Sequence, residues 1–266
     1  MTPTQEKSAR ELLAFYAEAG VDALVGEEPV NRFAVAGPVP TQPLARERPV
    51  TPAVRIEPAT AVAPAPPDAA TLEAREAARG APTLEALRGI LEKFDGCALK
   101  ATATRLVFAD GTPGSRVMLI GEAPGRDEDI QGLPFVGRSG KLLDRMLAAI
   151  GLDCSSVYIA NVVPWRPPGN RTPTPQETQI CLPFIKRQIE LANPDILVCL
   201  GGPSATTLLG IREGITKSRG RWFKFDTGAR EIRALPTFHP AFLLRSPLQK
   251  RLAWRDFLAV KKALEG

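Results

Sequence analysis

The sequence has no C-x-x-C pair and no internal repeat. Its four cysteines, at 97, 154, 181 and 199, therefore form neither a zinc ribbon nor a thioredoxin-like redox motif. A disulfide framework is not expected, and Cys199, inside Ile196-Leu197-Val198-Cys199-Leu200, reads as core. Nor is there an apolar run of about 18 residues, so no membrane-spanning helix is expected. The first residues, Met1-Thr2-Pro3-Thr4-Gln5-Glu6, lack the basic and apolar regions of a signal peptide, and a cytoplasmic location is expected. Histidine is the scarcest residue of all: His239 is the one copy in 266 residues.

Apolar residues make up 44% of the chain, enough to build a core. The net charge of +5 is unevenly spread. Residues 1–79 carry 8 basic and 11 acidic side chains, and residues 80–266 carry 26 and 18. A basic folded part beside an acidic tail suits a polyanionic partner, or a surface kept basic for solubility.

Hydrophobic spacing sets the expected organisation. Ala9, Leu12, Leu13, Tyr16 and Ala17 predict a short helix within residues 1–28. Ten prolines between positions 29 and 68 predict a stiff linker. A single folded domain is expected over 69–266. It opens with helical residues 69–94, where Pro82 fits a first turn and Leu84, Leu87, Leu91 and Phe94 form a stripe. Strands are expected at 116–120, 157–163, 195–200 and 231–237, and helices at 141–150, 174–192, from 202 and at 250–264. Strands alternating with helices predict an α/β fold. The expectation is one three-layer αβα domain with a central, mainly parallel four-stranded sheet and an N-terminal helical and proline-rich extension. Ligands of such sheets bind at the carboxyl ends of the strands.

Three blocks fall at those ends. Gly121-Glu122-Ala123-Pro124-Gly125 leaves the first strand, with Pro134-Phe135-Val136-Gly137 and Gly140-Lys141-Leu142-Leu143 after it. Asn161 ends the second strand, and Arg166-Pro167-Pro168-Gly169-Asn170-Arg171 follows. His239-Pro240-Ala241-Phe242-Leu243-Leu244-Arg245 follows the last strand. The first block is no phosphate-binding P-loop, because the G-K-[ST] ending is missing. Its glycines let backbone approach a ligand closely.

In order and spacing, these blocks resemble the uracil-DNA glycosylase superfamily, specifically its family 4, across about residues 85–260. The resemblance implies a monofunctional glycosylase that removes uracil from DNA and leaves an abasic site. It implies base recognition by Phe135, which stacks on the extruded uracil, and by Asn161, whose amide matches the O4 and N3–H edge. Gly121 and Ala123 lie beside that site, and Asn170 supports it. Glu122 is the candidate carboxylate for the oxocarbenium-like sugar and for water, and an acid holding its loop is a compatible role. Glu128 affects activity in the family. A neutral His239 can donate to uracil O2 and stabilise charge on the leaving base. Arg166, Arg171 and Arg245 are expected on phosphates. Leu243 and Leu244 read either as a wedge entering the DNA or as helix core. Arg219, in Ser218-Arg219-Gly220-Arg221-Trp222, reads either as a phosphate contact or as part of a solvated hairpin face.

Family 4 members hold a four-iron, four-sulphur cluster through four cysteines. Cys97 and Cys181 fall at two of those places, and Phe94 and Trp165 stand at the other two. Two thiolates do not satisfy a site built for four, so no metal or cluster is expected. Cys97 and Cys181 are then remnants of the ligand set, with Phe94 and Trp165 filling the volume. No histidine-bearing basic insertion follows Asn161, so covalent trapping of the product is not expected. No lysine is placed as a Schiff-base nucleophile. The expected partners are uracil-containing DNA and its abasic product, with the protein a monomer. A non-catalytic binder of such DNA, or a glycosylase for other deaminated bases, stays open as an alternative.

Overall fold

The computed structural model describes residues 67–265. The helix expected within 1–28 and most of the linker expected over 29–68 lie outside the described residues. The first described helix, α1 (Pro67–Arg79), starts at the linker's last residues. Ala70, Ala74 and Ala78 recur along one buried face of α1. Their small side chains allow close packing on α5 (Pro175–Ala192). The Arg187 guanidinium fastens this pairing, donating to Ala81 O at 2.8 and 3.0 Å.

Helix α2 (Leu84–Lys93) buries Leu84, Leu87 and Leu91 as the stripe requires. Thr83 caps it, its side chain accepting from Ala86 N at 3.2 Å. Pro82 therefore precedes the cap and lies outside the first turn. At α5, Thr174 and Glu177 form a reciprocal capping box with Pro175 in the first turn.

The sheet has six strands, against the four expected. They are β1 (Asp110–Gly111), β2 (Val117–Gly121), β3 (Tyr158–Asn161), β4 (Ile196–Leu200), β5 (Phe223–Asp226) and β6 (Glu231–Thr237). Their order is β1-β3-β2-β4-β6-β5. The four expected strands form the parallel centre, while β1 and β5 are antiparallel edges. The central strands escape alternation because both faces are covered; β2, β3 and β4 are buried at every residue.

Alternate residues along each strand feed two separate cores. Met118, Ile120, Leu197 and Cys199 face α1, α2, α5 and α6 (Gly202–Leu209). Val117, Leu119, Ile196 and Val198 face α4 (Arg138–Ala148) and α9 (Lys250–Glu265). This is the three-layer arrangement, and it leaves the strand ends to carry the site. Between β2 and α4 lies the short α3 (Arg126–Gln131). Two more short helices, α7 (Ile215–Ser218) and α8 (Pro240–Arg245), flank the β5–β6 hairpin in sequence. None of the described helices is long and apolar enough to cross a membrane.

Candidate active site

A cleft of about 620 Å³ opens over the carboxyl ends of β2, β3, β4 and β6. Glu122, Phe135, Asn161 and His239 all line it, drawn from four separate stretches of chain. Parallel pairing sets two of them side by side: Gly121 of β2 is in register with Asn161 of β3. The chains continue together beyond the strands, with Val162 N donating to Gly121 O and Val163 N to Glu122 O, both at 3.0 Å.

Gly121 is required by its neighbours. An added Cβ would collide with Asn161 Oδ1 and lie 2.8 Å from Phe135 Cζ. The missing side chain is what lets the amide and the ring meet. Phe135 has a left-handed backbone, with φ 57°, which costs a non-glycine residue about 1–2 kcal/mol. Gly140 permits it, because any Cβ there would strike the Phe135 carbonyl. The ring thus held lies 5.5 Å from the His239 ring, at 29° between planes.

Glu128 explains how these loops are fixed. Its Oε2 accepts from Gly125 N and its Oε1 from Gly137 N, both at 3.1 Å. Both oxygens of this buried carboxylate are engaged by backbone on either side of Phe135. Glu128 lines the cleft as a clamp on its walls. Glu122 contrasts with it. It is half-buried, its Oε1 is buried without a hydrogen-bond partner, and burial raises its pKa above the usual 4.5. Ala123 lines the cleft beside it.

His239 caps α8, its Nδ1 accepting from Ala241 N at 3.1 Å. An Nδ1 that accepts carries no proton, so a neutral ring bears its proton on Nε2. Burial, with a smaller effect from Arg245, pushes its pKa down to about 4. At neutral pH the side chain is therefore an uncharged donor.

Asn170 (φ 56°) lines the cleft and accepts from Arg166 Nε at 2.7 Å. Arg166 lies outside the lining, 3.9 Å from Asp129. Arg171 lines it too, held in a two-point pair with Glu177 at 2.7 and 2.8 Å. Arg245 is exposed at the rim.

Two sequence-predicted residues are placed elsewhere. Arg219 turns inward, pairing with the buried Asp256 and donating to Leu252 O at 2.7 Å. Its charge ties α7 to α9, so the phosphate reading is not carried by its placement. Leu243 is fully buried against Phe238 and Ala253, which fits the core reading and removes it from the surface. Leu244 is 36% exposed. Phe242 and Gly201 are among the lining residues to which the sequence assigns no role. Phe242 forms a wall of the cleft. Gly201, at φ 100°, lets β4 turn away beneath His239, whose Cβ would lie 3.2 Å from a Cβ at 201. The Gly-Gly pair after β4 was the available signal for that turn.

Cys97 and Cys181 also meet. Cys181 Sγ donates to Cys97 Sγ at 4.0 Å, and both are buried. Phe94 and Trp165 are buried in the same core, with Phe94 edge-on to Phe184 at 4.9 Å. Among the described residues no group of three or more His, Cys, Asp or Glu side chains is placed to hold a metal. Two thiols set in aromatic packing do not fit a four-iron cluster.

The sequence compares with known proteins as follows. It is 43% identical over 157 residues to the type-4 uracil-DNA glycosylase of Thermotoga maritima, covering 59% of this chain and 80% of that protein. It is 38% identical over 165 residues to the enzyme of that name from Archaeoglobus fulgidus, covering 60% and 83%. It is 38% identical over 188 residues to that of Saccharolobus solfataricus, covering 69% and 87%. The family model described as the uracil DNA glycosylase superfamily matches residues 108–258, which contain all four strands that frame the cleft. The chain belongs to the uracil DNA glycosylase superfamily.

Proposed function

We infer that the protein is a monofunctional uracil-DNA glycosylase that hydrolyses the N-glycosidic bond of deoxyuridine in DNA. One observation carries this: a hydrogen-bonding amide, an aromatic ring, a neutral imidazole donor and an under-solvated carboxylate line one cleft. A base inside a duplex is out of reach, so uracil must be flipped into that cleft. Phe135 offers a stacking face worth roughly 1–3 kcal/mol. The Asn161 amide offers an acceptor to N3–H and a donor to O4. Cytosine presents the opposite pattern, and a mismatched base leaves buried polar groups unpaired.

As the glycosidic bond breaks, negative charge gathers on uracil and positive character on the sugar. The Nε2–H of His239 faces the first as a fixed, uncharged donor. The Glu122 carboxylate opposes the second and orients water for attack at the sugar. Glu128 acts through the loops it clamps and transfers no proton. Every group needed comes from one chain, consistent with a monomer. Family membership and the uracil-DNA glycosylases it resembles support a DNA substrate. No step uses a cluster, and we propose that aromatic packing around Cys97 and Cys181 takes its structural place.

The test is uracil release from an oligonucleotide, followed by alkali to cut abasic sites, for wild type beside Asn161→Ala. Strand cleavage by the wild type, lost by about a hundredfold or more in the variant, is expected. A shifted but intact strand with the wild type would instead mean a binder. Full activity of Asn161→Ala would overturn the recognition role.

A further inference from the structure

Arg166 carries a charge that its surroundings already occupy. Its Nε–H donates to Asn170 Oδ1 at 2.7 Å, and its Nη1 lies 3.9 Å from the buried Asp129 carboxylate. Asp129 is itself anchored, accepting from Thr104 N at 2.7 Å, Thr104 Oγ1 at 2.9 Å and Arg105 N at 3.2 Å. The guanidinium thus spans a fixed anion and a side-chain amide, and it does not line the cleft. Asn170 does.

A guanidinium N–H can only donate, so the amide atom it meets is the oxygen. This fixes the amide, with its carbonyl toward Arg166 and its NH2 group turned away. Among the described residues no protein group accepts from that NH2. The backbone amides of the same turn are spent, Asn170 N on Pro167 O at 3.0 Å and Arg171 N on Pro168 O at 3.3 Å. The side chain is therefore the donor that this turn offers the cleft. In the uracil-DNA reading above, Asn161 and His239 already meet the two carbonyl oxygens of the base. The strongest acceptors left on the extruded nucleotide are its phosphate oxygens.

We propose that Asn170 donates to a phosphate oxygen of the extruded nucleotide, and that Arg166 is the positioning residue that turns its amide that way. Arg166 then acts without touching DNA. The proposal rests on the uracil-DNA reading and adds how the nucleotide's backbone is gripped.

The experiment measures uracil release by wild type, Asn170→Asp, Asn170→Gly and Arg166→Met. The substrates are oligonucleotides with natural linkages or with one uncharged methylphosphonate on the 5′ or the 3′ side of deoxyuridine. Aspartate and glycine both tolerate the φ of 56° at position 170, and aspartate keeps an oxygen for Arg166. Asp129 keeps its three other donors in Arg166→Met, so the fold holds. On natural linkages, Asn170→Gly and Arg166→Met should each lower kcat/KM about tenfold to a hundredfold, and the double variant should lose no more than either. Asn170→Asp should lose more, because its carboxylate faces an anion. One of the two methylphosphonates should bring it within about threefold of wild type on the same substrate, since no phosphate charge is left there to repel. The salt dependence of DNA binding should be unchanged in Arg166→Met. A deficit in Asn170→Asp that neither methylphosphonate relieves, additive losses in the double variant, or a salt slope reduced by about 1 in Arg166→Met would overturn the proposal. A wild type that releases no uracil from natural linkages would sink the underlying reading, a result distinct from these.

Discussion

Glu122→Gln should make the protein a poorer catalyst and a more stable fold at once. The carboxylate is half-buried, and one oxygen lacks any hydrogen-bond partner. Glutamine keeps a polar atom in the buried position but removes the charge that burial disfavours, a gain of about 1 kcal/mol once the partial exposure is discounted. For a fold of this size, that corresponds to a rise of about 2–4 °C in Tm. The sign follows from burial, which raises the folded-state pKa above 4.5. The charged form is then the destabilising one. The gain in Glu122→Gln should be fullest at pH 7–8 and should fade as pH falls through the raised pKa toward 4.5, where the wild-type carboxyl is protonated. The same substitution removes the charge that faces the sugar, and kcat should drop by about 10²–10³ with KM little changed. The pH profile separates the two side chains. Wild-type kcat/KM should fall on the acid side through a group titrating above 4.5, and the variant should lack that limb. No step should appear near 6.5, because His239 stays neutral down to about 4. Scanning calorimetry at pH 5 and 8 with steady-state rates on a uracil oligonucleotide gives all of these. Undiminished turnover in Glu122→Gln, a Tm that stays level or falls at pH 8, or an acid limb that survives would refute the reasoning.

Arg219→Ala should leave Asp256 buried without its cation and cost about 3–5 kcal/mol, seen as a lowered denaturation midpoint. The salt dependence of DNA binding should be unchanged, whereas loss of a phosphate contact would reduce its slope by about 1 and spare stability. Protein purified without oxygen should carry no stoichiometric iron or acid-labile sulphide and no visible absorption band; four irons per chain would refute the aromatic replacement.

Strands β2, β3 and β4 were legible because each is a short apolar run that ends at or just before a glycine or an asparagine, while β6 alternates through Glu231 and Arg233 before its buried half. Burial on both faces produces such apolar runs by itself. Strand β1 was not legible, since two residues form a strand only by pairing with β3 far along the chain. Strand β5 did leave a trace in the alternation Phe223-Lys224-Phe225-Asp226, but the cations around it read more strongly. In the site, Glu122, Asn161 and His239 were readable because each ends or follows a strand, where topology brings them together, whereas Phe135 lies beyond α3 and was readable only from its Pro134-Phe135-Val136-Gly137 block. Charge and apolarity were poorer guides. Nothing local to Arg219 announces Asp256, 37 positions away, as its partner. Likewise Leu243 and Leu244 are adjacent in sequence, yet helical rotation buries one and half-exposes the other.

Glu128 also sets the character of the whole cavity. Because one side chain grips the amides of Gly125 and Gly137 together, the segment bearing Phe135 and the turn bearing Glu122 are yoked into a single body. Such a body cannot mould itself around a larger guest by shifting one wall alone. The ring and the carboxylate therefore keep their spacing, and whatever displaces one wall of the cleft carries the other with it.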